Sequence, residues 1–307
     1  MAQFYLILAA IFWGGNYVVS SVLVFHIPPI LLAEIRWLIA SIILIMLYHK
    51  VVIAEWQAIR VTWPQLTFFA IFGPVLFPLF LYIGLQYTSA LNAAILLSSS
   101  PALVLIINAI LFKDKITKGN IWGVVLSTMG VMYLLLHGHI FDLTTFHIGY
   151  GEFFAFLSAV SWAIYCACLR FKAKTYSPQS FITVSSIIGA IILLPCVLLS
   201  SKTYTYLPTM HIDYKLLLGI GYLAIFPSVL SYKFWGKGIA IIGATRGEVF
   251  THLVPLSGAL LSVIFLHTQL EFYHYIGCTF IILGIILCSH KKFNSIDSIK
   301  KSAELIS

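Results

Sequence analysis

Charge is what this sequence lacks. Only 9% of its 307 residues are Asp, Glu, Lys or Arg, against about 25% in a typical soluble domain. With 61% hydrophobic residues and a mean hydropathy of +1.00, the chain has too little polar surface to cover a water-facing globule. The ~10-residue alternating segments of an outer-membrane barrel are missing too. In their place stand apolar runs of about 20 residues, the length that carries a helix across a bilayer. The fold class is therefore an all-α polytopic membrane protein. No GxxxxGK[ST] phosphate loop occurs, so ATP hydrolysis by this chain is not expected. The cysteines, Cys166, Cys168, Cys196, Cys278 and Cys288, are scattered inside apolar runs. They show neither metal spacing nor a disulfide framework and read as small buried hydrophobes. No basic n-region precedes the first apolar run, which starts at Phe4, so that run reads as a retained helix.

Ten apolar segments are present: Phe4–Phe25, Pro29–Tyr48, Leu66–Tyr87, Leu91–Phe112, Ile121–Leu136, Phe153–Phe171, Phe181–Leu199, Leu216–Gly236, Val249–Leu266 and Tyr275–Ser289. Basic residues collect in every second connection. Lys50 and Arg60 follow the second segment, and Lys113, Lys115 and Lys118 follow the fourth. Arg170, Lys172 and Lys174 follow the sixth, and Lys233, Lys237 and Arg246 lie around the eighth-to-ninth connection. The tail adds Lys291, Lys292, Lys300 and Lys301, while the other side holds only Lys202 and Lys215. This bias predicts that both termini are cytoplasmic, in a bacterial inner membrane. It also explains the net charge of +8 without invoking nucleic acid.

The chain repeats itself. At an offset of 149 residues Phe4 meets Phe153, Trp13 meets Trp162, Pro29 meets Pro178, and Phe77-Pro78 meets Phe226-Pro227. After a five-residue insertion near Gly236–Gly243, Ala90 meets Ala244, Pro101 meets Pro255 and Gly130 meets Gly284. Five helices is an odd number, so the second half sits upside down relative to the first. Two inverted halves can exchange conformations and expose a central site to each side in turn. The expected layout is a first repeat over 1–137, an extracytoplasmic linker over 138–148, a second repeat over 149–290 and a basic cytoplasmic tail over 291–307.

The motifs Ala9-Ala10-Ile11-Phe12-Trp13-Gly14, Pro29 to Arg36-Trp37 and Gly84-Leu85-Gln86-Tyr87-Thr88-Ser89-Ala90 occur in order, followed by Ala93-Ala94-Ile95-Leu96 and Pro101. The second copy offers Tyr232 to Trp235, Ile242-Gly243-Ala244, Leu253-Val254-Pro255 and Leu283-Gly284. From about Phe4 to Ser289 the chain resembles the EamA family of the drug/metabolite transporter superfamily. The resemblance implies ten helices in two inverted halves and passage of small solutes through a central cavity. One departure is visible. Where the family often carries an acidic residue after the fourth helix of each half, this chain has Asp114 in the first and Thr268 in the second.

A charge inside a bilayer costs ~2.5–3.5 kcal/mol on insertion scales, so each one needs a reason. Glu34 and Arg36 lie in the second helix, about 200° apart around it; each is either a cavity lining or half of a pair to another helix. Arg36 matches a basic position common in the family's second helix. In the ninth helix His252 shares a face with Glu248 and Ser262. It is a candidate proton carrier or substrate ligand, with a satisfied core histidine as the alternative. Lys233 in the eighth helix, one turn deeper than Lys237, is a candidate anion contact.

Aromatic and amide groups supply the rest of the candidate translocation path. These are Trp13, Asn16 and Tyr17 on helix one, Trp162 and Tyr165 on helix six, Tyr82 and Gln86 on helix three, Asn92 and Ser99 on helix four, and Tyr232 on helix eight. Such a wall suits an amphipathic or zwitterionic solute, although Trp and Tyr near helix ends also form interface belts. Pro101 and Pro255 are expected to kink helices four and nine beside that path.

The sequence thus predicts a secondary transporter of small organic metabolites, foremost amino acids or related zwitterions, working by alternating access as an exporter. Import or exchange of a larger metabolite such as S-adenosylmethionine stays open, and so does an integral-membrane lipid-modifying enzyme, for which no acid/base constellation is found. The expectation is a non-enzyme with no catalytic residues, cofactor or metal, a small-molecule substrate, a lipid surround, a coupling proton as candidate partner and no nucleic acid.

Overall fold

The computed structural model describes residues 2–97, 99–113, 118–136, 138, 149–200, 213–242, 250, 253–284 and 286–287. Within them lie seven helices long and apolar enough to span a membrane and three shorter apolar ones, which gives the ten expected. We label them α1 (Ala2–Leu23), α2 (Pro29–Ala54), α3 (Trp63–Gly84), α4 (Ala90–Phe112), α5 (Lys118–Leu135), α6 (Tyr150–Phe171), α7 (Pro178–Leu199), α8 (Tyr214–Gly238), α9 (Leu253–Leu266) and α10 (Phe272–Gly284). α2 runs six residues beyond the expected end at Tyr48, and a short helix, Trp56–Val61, follows it.

Contacts divide the chain into two compact units, 1–97 with 149–268 and 98–148 with 269–307. In the first unit the packing follows the inverted repeat. α1 lies against α8 and α9 of the other half, and α6 lies against α3 and the Ala90–Leu97 part of α4. α2 and α7, each other's counterparts, pack along each other. Each half completes its bundle with helices from the other. In the second unit α5 and α10 meet closely: a Cβ added at Gly130 would stand 2.7 Å from the carbonyl of Gly277.

Prolines reshape α3 and α8. Pro74 and Pro78 in α3 and Pro227 in α8 cannot donate the helical hydrogen bond, and the backbone widens into π-helical turns over Ile71–Leu76 and Phe226–Leu230. These are the paired irregularities of the two halves. Pro101, expected to kink helix four, lies in the first turn of the segment Ser100–Phe112 of α4, which follows the segment Ala90–Leu97, and Pro255, expected to kink helix nine, lies near the start of the described part of α9, Leu253–Leu266.

One end of the first unit carries Lys50, Arg60, Arg170, Lys172 and Lys174, and its polar groups tie the α2–α3 and α6–α7 connections together. Gln65 Nε2 donates to the Phe171 carbonyl (2.6 Å), and its Oε1 accepts from the Ala173 N–H (2.9 Å) and the Tyr176 hydroxyl (3.3 Å). Glu55 Oε2 accepts from both the N–H and Oγ of Ser177 (2.9 Å each), and the Ser177 hydroxyl caps α7 by accepting from the Ser180 N–H. The Lys172 ammonium lies 4.7 Å from the Tyr176 ring centre and 5.3 Å from that of Phe181.

Burial pushes the Glu55 carboxyl up, but hydrogen bonds from Ser180 and Ser177 and the Lys172 charge outweigh it and hold the group below the ordinary carboxylate range. A carboxylate depressed in the folded state stabilises above that range, and the stabilisation is lost as pH falls through the folded value. The midpoint of thermal unfolding in detergent is therefore expected to fall as pH drops through the folded Glu55 value. Glu55→Gln should weaken that acid response; an unchanged response in that variant would assign it to another group.

Candidate functional site

The site is built from Arg36. Pro28 and Pro29 start α2, and Arg36 follows two turns in, 4% exposed. Its Nε donates to Ser228 Oγ (2.7 Å), and its Nη1 donates to Asn16 Oδ1 (3.0 Å) and to the Tyr82 hydroxyl (2.7 Å). The Tyr82 hydroxyl in turn donates to Asn16 Oδ1 (3.4 Å). Four helices, α1, α2, α3 and α8, thus hold one guanidinium. Among the described residues no carboxylate pairs with it, and Nη2 has no hydrogen-bond acceptor.

The π-helical turn of α8 explains why Ser228 is available. Pro227 leaves the Leu223 carbonyl without its usual N–H donor. Ser228 Oγ donates to that carbonyl (2.8 Å), which turns the hydroxyl's lone pairs toward Arg36. The neighbouring Pro227 carbonyl accepts from Trp13 Nε1 (3.0 Å). The mirror arrangement occurs in the first half, where Ser161 Oγ on α6 donates to the Phe72 carbonyl in the π-helical turn of α3 (2.8 Å). Ser228→Ala would strand the Leu223 carbonyl and remove one Arg36 partner. We expect a loss of about 1–3 kcal/mol, seen as a lower midpoint in thermal unfolding in detergent; an unchanged midpoint would mean another group rescues both.

An aromatic wall adjoins the guanidinium. The Trp13 ring lies 6.3 Å from Trp162, 5.5 Å from Tyr232 and 5.4 Å from Trp235, all half-buried. Trp13 and Trp162 are repeat equivalents, so they meet where the two halves do. Trp162 also packs against Phe77 (5.2 Å) and stacks on Tyr165 (5.2 Å). A cation beside indole and phenol faces is a place for a solute with a carboxylate at one end and an apolar or cationic group at the other.

Not every expected residue joins this site. Tyr17 is 1% exposed, its hydroxyl without a partner, and Tyr165 belongs to a buried cluster with Phe69 and Phe181. Both are packing residues rather than cavity lining. Their hydroxyls suggested lining, but packing encloses both side chains. Glu34 lies on the other flank of α2's buried face and forms no ion pair among the described residues. Lys233 is exposed and outside the cradle. Ser99 is buried, in the second unit. Asn92 is half-buried at the start of α4, where its N–H donates to Ser89 Oγ (3.1 Å).

Gln86 donates to the Val24 carbonyl (3.1 Å). It lines an open recess of about 610 Å³ at the end opposite the basic one, with Ser21, His26 and Thr268. His252, Glu248, Arg246 and Asp114 lie outside the described residues. Sequence reasoning missed Ser228 and Trp235; the Phe226-Pro227 pair was the signal that a hydroxyl beside it would be drawn into the helix.

Comparison with known proteins agrees with this geometry. The EamA-like transporter family matches residues 1–136 and again 149–289. The uncharacterized transporter YyaM of Bacillus subtilis (strain 168) is 30% identical over 283 residues, covering 91% of this chain and 90% of the relative. YetK, another uncharacterized transporter of that organism, is 30% identical over 287 residues, 91% of this chain and 84% of the relative. A protein of Salmonella typhimurium (strain LT2) named as a probable amino-acid metabolite efflux pump is 26% identical over 298 residues, covering 92% and 93%. A solved crystal structure superposes with a TM-score of 0.62 at 17% identity, covering 93% of this chain and 95% of its own, and shares the fold. With the family matched twice in tandem over almost the whole length, this chain belongs to the EamA-like transporter family: it is an integral membrane transporter of two inverted five-helix repeats.

Proposed function

We propose that the protein exports small carboxylate-bearing metabolites, amino acids or related zwitterions, by alternating access, with Arg36 binding the carboxylate. The observation that carries this reading is a buried guanidinium in the first unit with no anion beside it among the described residues. Leaving a charge in a bilayer without a counter-ion is expensive, and a bound carboxylate supplies one. Asn16, Tyr82 and Ser228 orient the fork so that Nη2 faces the ligand, and Trp13, Trp162, Tyr232 and Trp235 take its apolar or cationic end. The fork geometry of arginine matches a carboxylate better than lysine would.

Export is supported by the similarity to the probable efflux pump. The basic bias supports a cytoplasmic Lys50–Arg60 and Arg170–Lys174 end, with both termini and the 291–307 tail on that side of an inner membrane and the 138–148 linker between repeats outside. Substrate then enters from the basic end and leaves through the recess beside Gln86.

Counterflow in proteoliposomes tests this. Amino acids trapped inside should exchange with labelled amino acid outside, and the matching amides should not. Exchange of amides as fast as acids would overturn the carboxylate role, and exchange of neither would overturn the amino-acid reading.

A further inference from the structure

A second polar feature of α2 starts at Glu34, about 200° around the helix from Arg36. Glu34 is 4% exposed. Neither of its carboxyl oxygens has a hydrogen-bond partner among the described residues, and Oε2 is fully enclosed. Trp37 Nε1 and Ser41 Oγ are likewise fully enclosed and unpartnered. Positions 34, 37 and 41 fall within about 60° on a helix and span about 10 Å along it. Three enclosed polar atoms in a file, with a carboxyl at one end, are what buried packing normally avoids; such a file suits water or a travelling proton.

The second half shows that the fold does not require it. The repeat equivalents on α7 are Thr183, Ser186 and Ala190. Thr183 donates to the Gln179 carbonyl (2.8 Å) and Ser186 to the Thr183 carbonyl (2.8 Å), so that counterpart is satisfied within its own helix.

Among the described residues nothing nearby balances an ionised Glu34. α2 packs against α7, α3, α8 and the short helix Trp56–Val61. α7 carries no Asp, Glu, Lys, Arg or His, and its titratable group is the exposed Cys196. α3 contributes Tyr82, committed to Arg36. α8 contributes Tyr214 and Lys215, both exposed, Tyr222, whose hydroxyl donates to the Phe12 carbonyl (3.2 Å), and, past the turn Phe226–Leu230, half-buried Tyr232 with Lys233 and Lys237, both exposed. The short helix contributes Arg60, exposed at the far end of α2, and the α1–α2 turn holds His26, also exposed. Arg36 sits about 200° around α2 from Glu34; its guanidinium is held by its own three partners and lies 5.1 Å from the Trp37 ring centre. A carboxyl without a cation in hydrocarbon is neutral.

We propose that Glu34 is the proton-binding site that couples transport to the proton gradient, with Trp37 and Ser41 marking the buried end of its proton path. While enclosed, Glu34 holds its proton as –COOH. When water reaches it the proton leaves as hydronium, and the carboxylate takes up another from the side that opens next. The coupling to export rests on the reading above, while the protonation is independent of it.

Two measurements test the proposal on the full-length protein in liposomes. Infrared difference spectra over a pH titration should show a protonated-carboxyl C=O band that titrates in the wild type, shifts in Glu34→Asp and is lost in Glu34→Gln. A spectrum in which Glu34→Gln leaves every carboxyl band unchanged overturns the site. With an amino acid that exchanges in counterflow as the probe, a one-unit pH gradient should accumulate substrate about tenfold for one coupled proton. Glu34→Gln should abolish the accumulation while leaving exchange within about twofold. Gradient-driven accumulation retained in that variant overturns the coupling. Should no amino acid exchange in the wild type, the export reading has failed, and the infrared band alone decides the proton site.

Discussion

Replacing Arg36 by glutamine is expected to abolish transport of carboxylate-bearing substrates while folded protein remains in the membrane. The three groups that hold the guanidinium can bond to one another, as Tyr82 and Asn16 already do at 3.4 Å, so the cradle need not collapse. Removing the charge also removes an insertion cost of about 2.5–3.5 kcal/mol. Function loses a charge-assisted contact worth about 1.5–3 kcal/mol, a fall of roughly 10- to 150-fold in substrate affinity. Arg36→Lys should recover little, because one ammonium cannot reach Ser228, Asn16 and Tyr82 and still present a donor to a ligand. Initial exchange rates, normalised to monodisperse protein on size exclusion, check both variants; transport by Arg36→Gln at the wild-type rate would remove Arg36 from the path.

The second large effect concerns folding. At Gly14, next to Trp13, α1 approaches α9 backbone to backbone. An added Cβ would stand 2.6 Å from the Gly258 N atom and would collide with Ser257. Small residues at such crossings let membrane helices pack without a hydrophobic driving force between them. Gly14→Val has no flexible neighbour to push aside, since the obstacle is main chain, and overpacking of this kind costs about 1–3 kcal/mol or more. The expected outcome is a large loss of folded protein from the membrane. Gly221→Ala is the control, because nothing lies within 4 Å of a Cβ there. Equal yields of the two variants would show that α1 and α9 can separate at little cost.

The ten-helix, two-repeat plan was legible because it is written in coarse signals: apolar length, basic punctuation and matched Trp13/Trp162, Pro29/Pro178 and Pro78/Pro227 pairs. Arg36, Asn16, Tyr82 and Trp13 were legible for a sharper reason, since a buried charge must gather polar neighbours. Tyr17 misled because in a membrane bundle both the interface and the cavity face of a helix accept a phenol. Periodicity does not separate the two when the outer face is apolar as well. The prolines were legible only in part. Pro101 and Pro255 match across the repeats, but the irregular turns the structure describes lie at Pro74 and Pro227, inside α3 and α8. Ser228 was signalled only indirectly, by Pro227: its role depends on the Leu223 carbonyl that the proline frees, which is a consequence of backbone geometry rather than of the serine itself.

The central claim is that Arg36 reads a carboxylate, and a binding cycle tests it most directly. Affinities of an amino acid and its amide, measured by isothermal titration on the wild type and on Arg36→Gln, give four numbers and one coupling energy. The account predicts that the acid binds the wild type at least tenfold more tightly than the amide, and that the difference vanishes in Arg36→Gln. An acid preference that survives in Arg36→Gln would place the carboxylate elsewhere and contradict it.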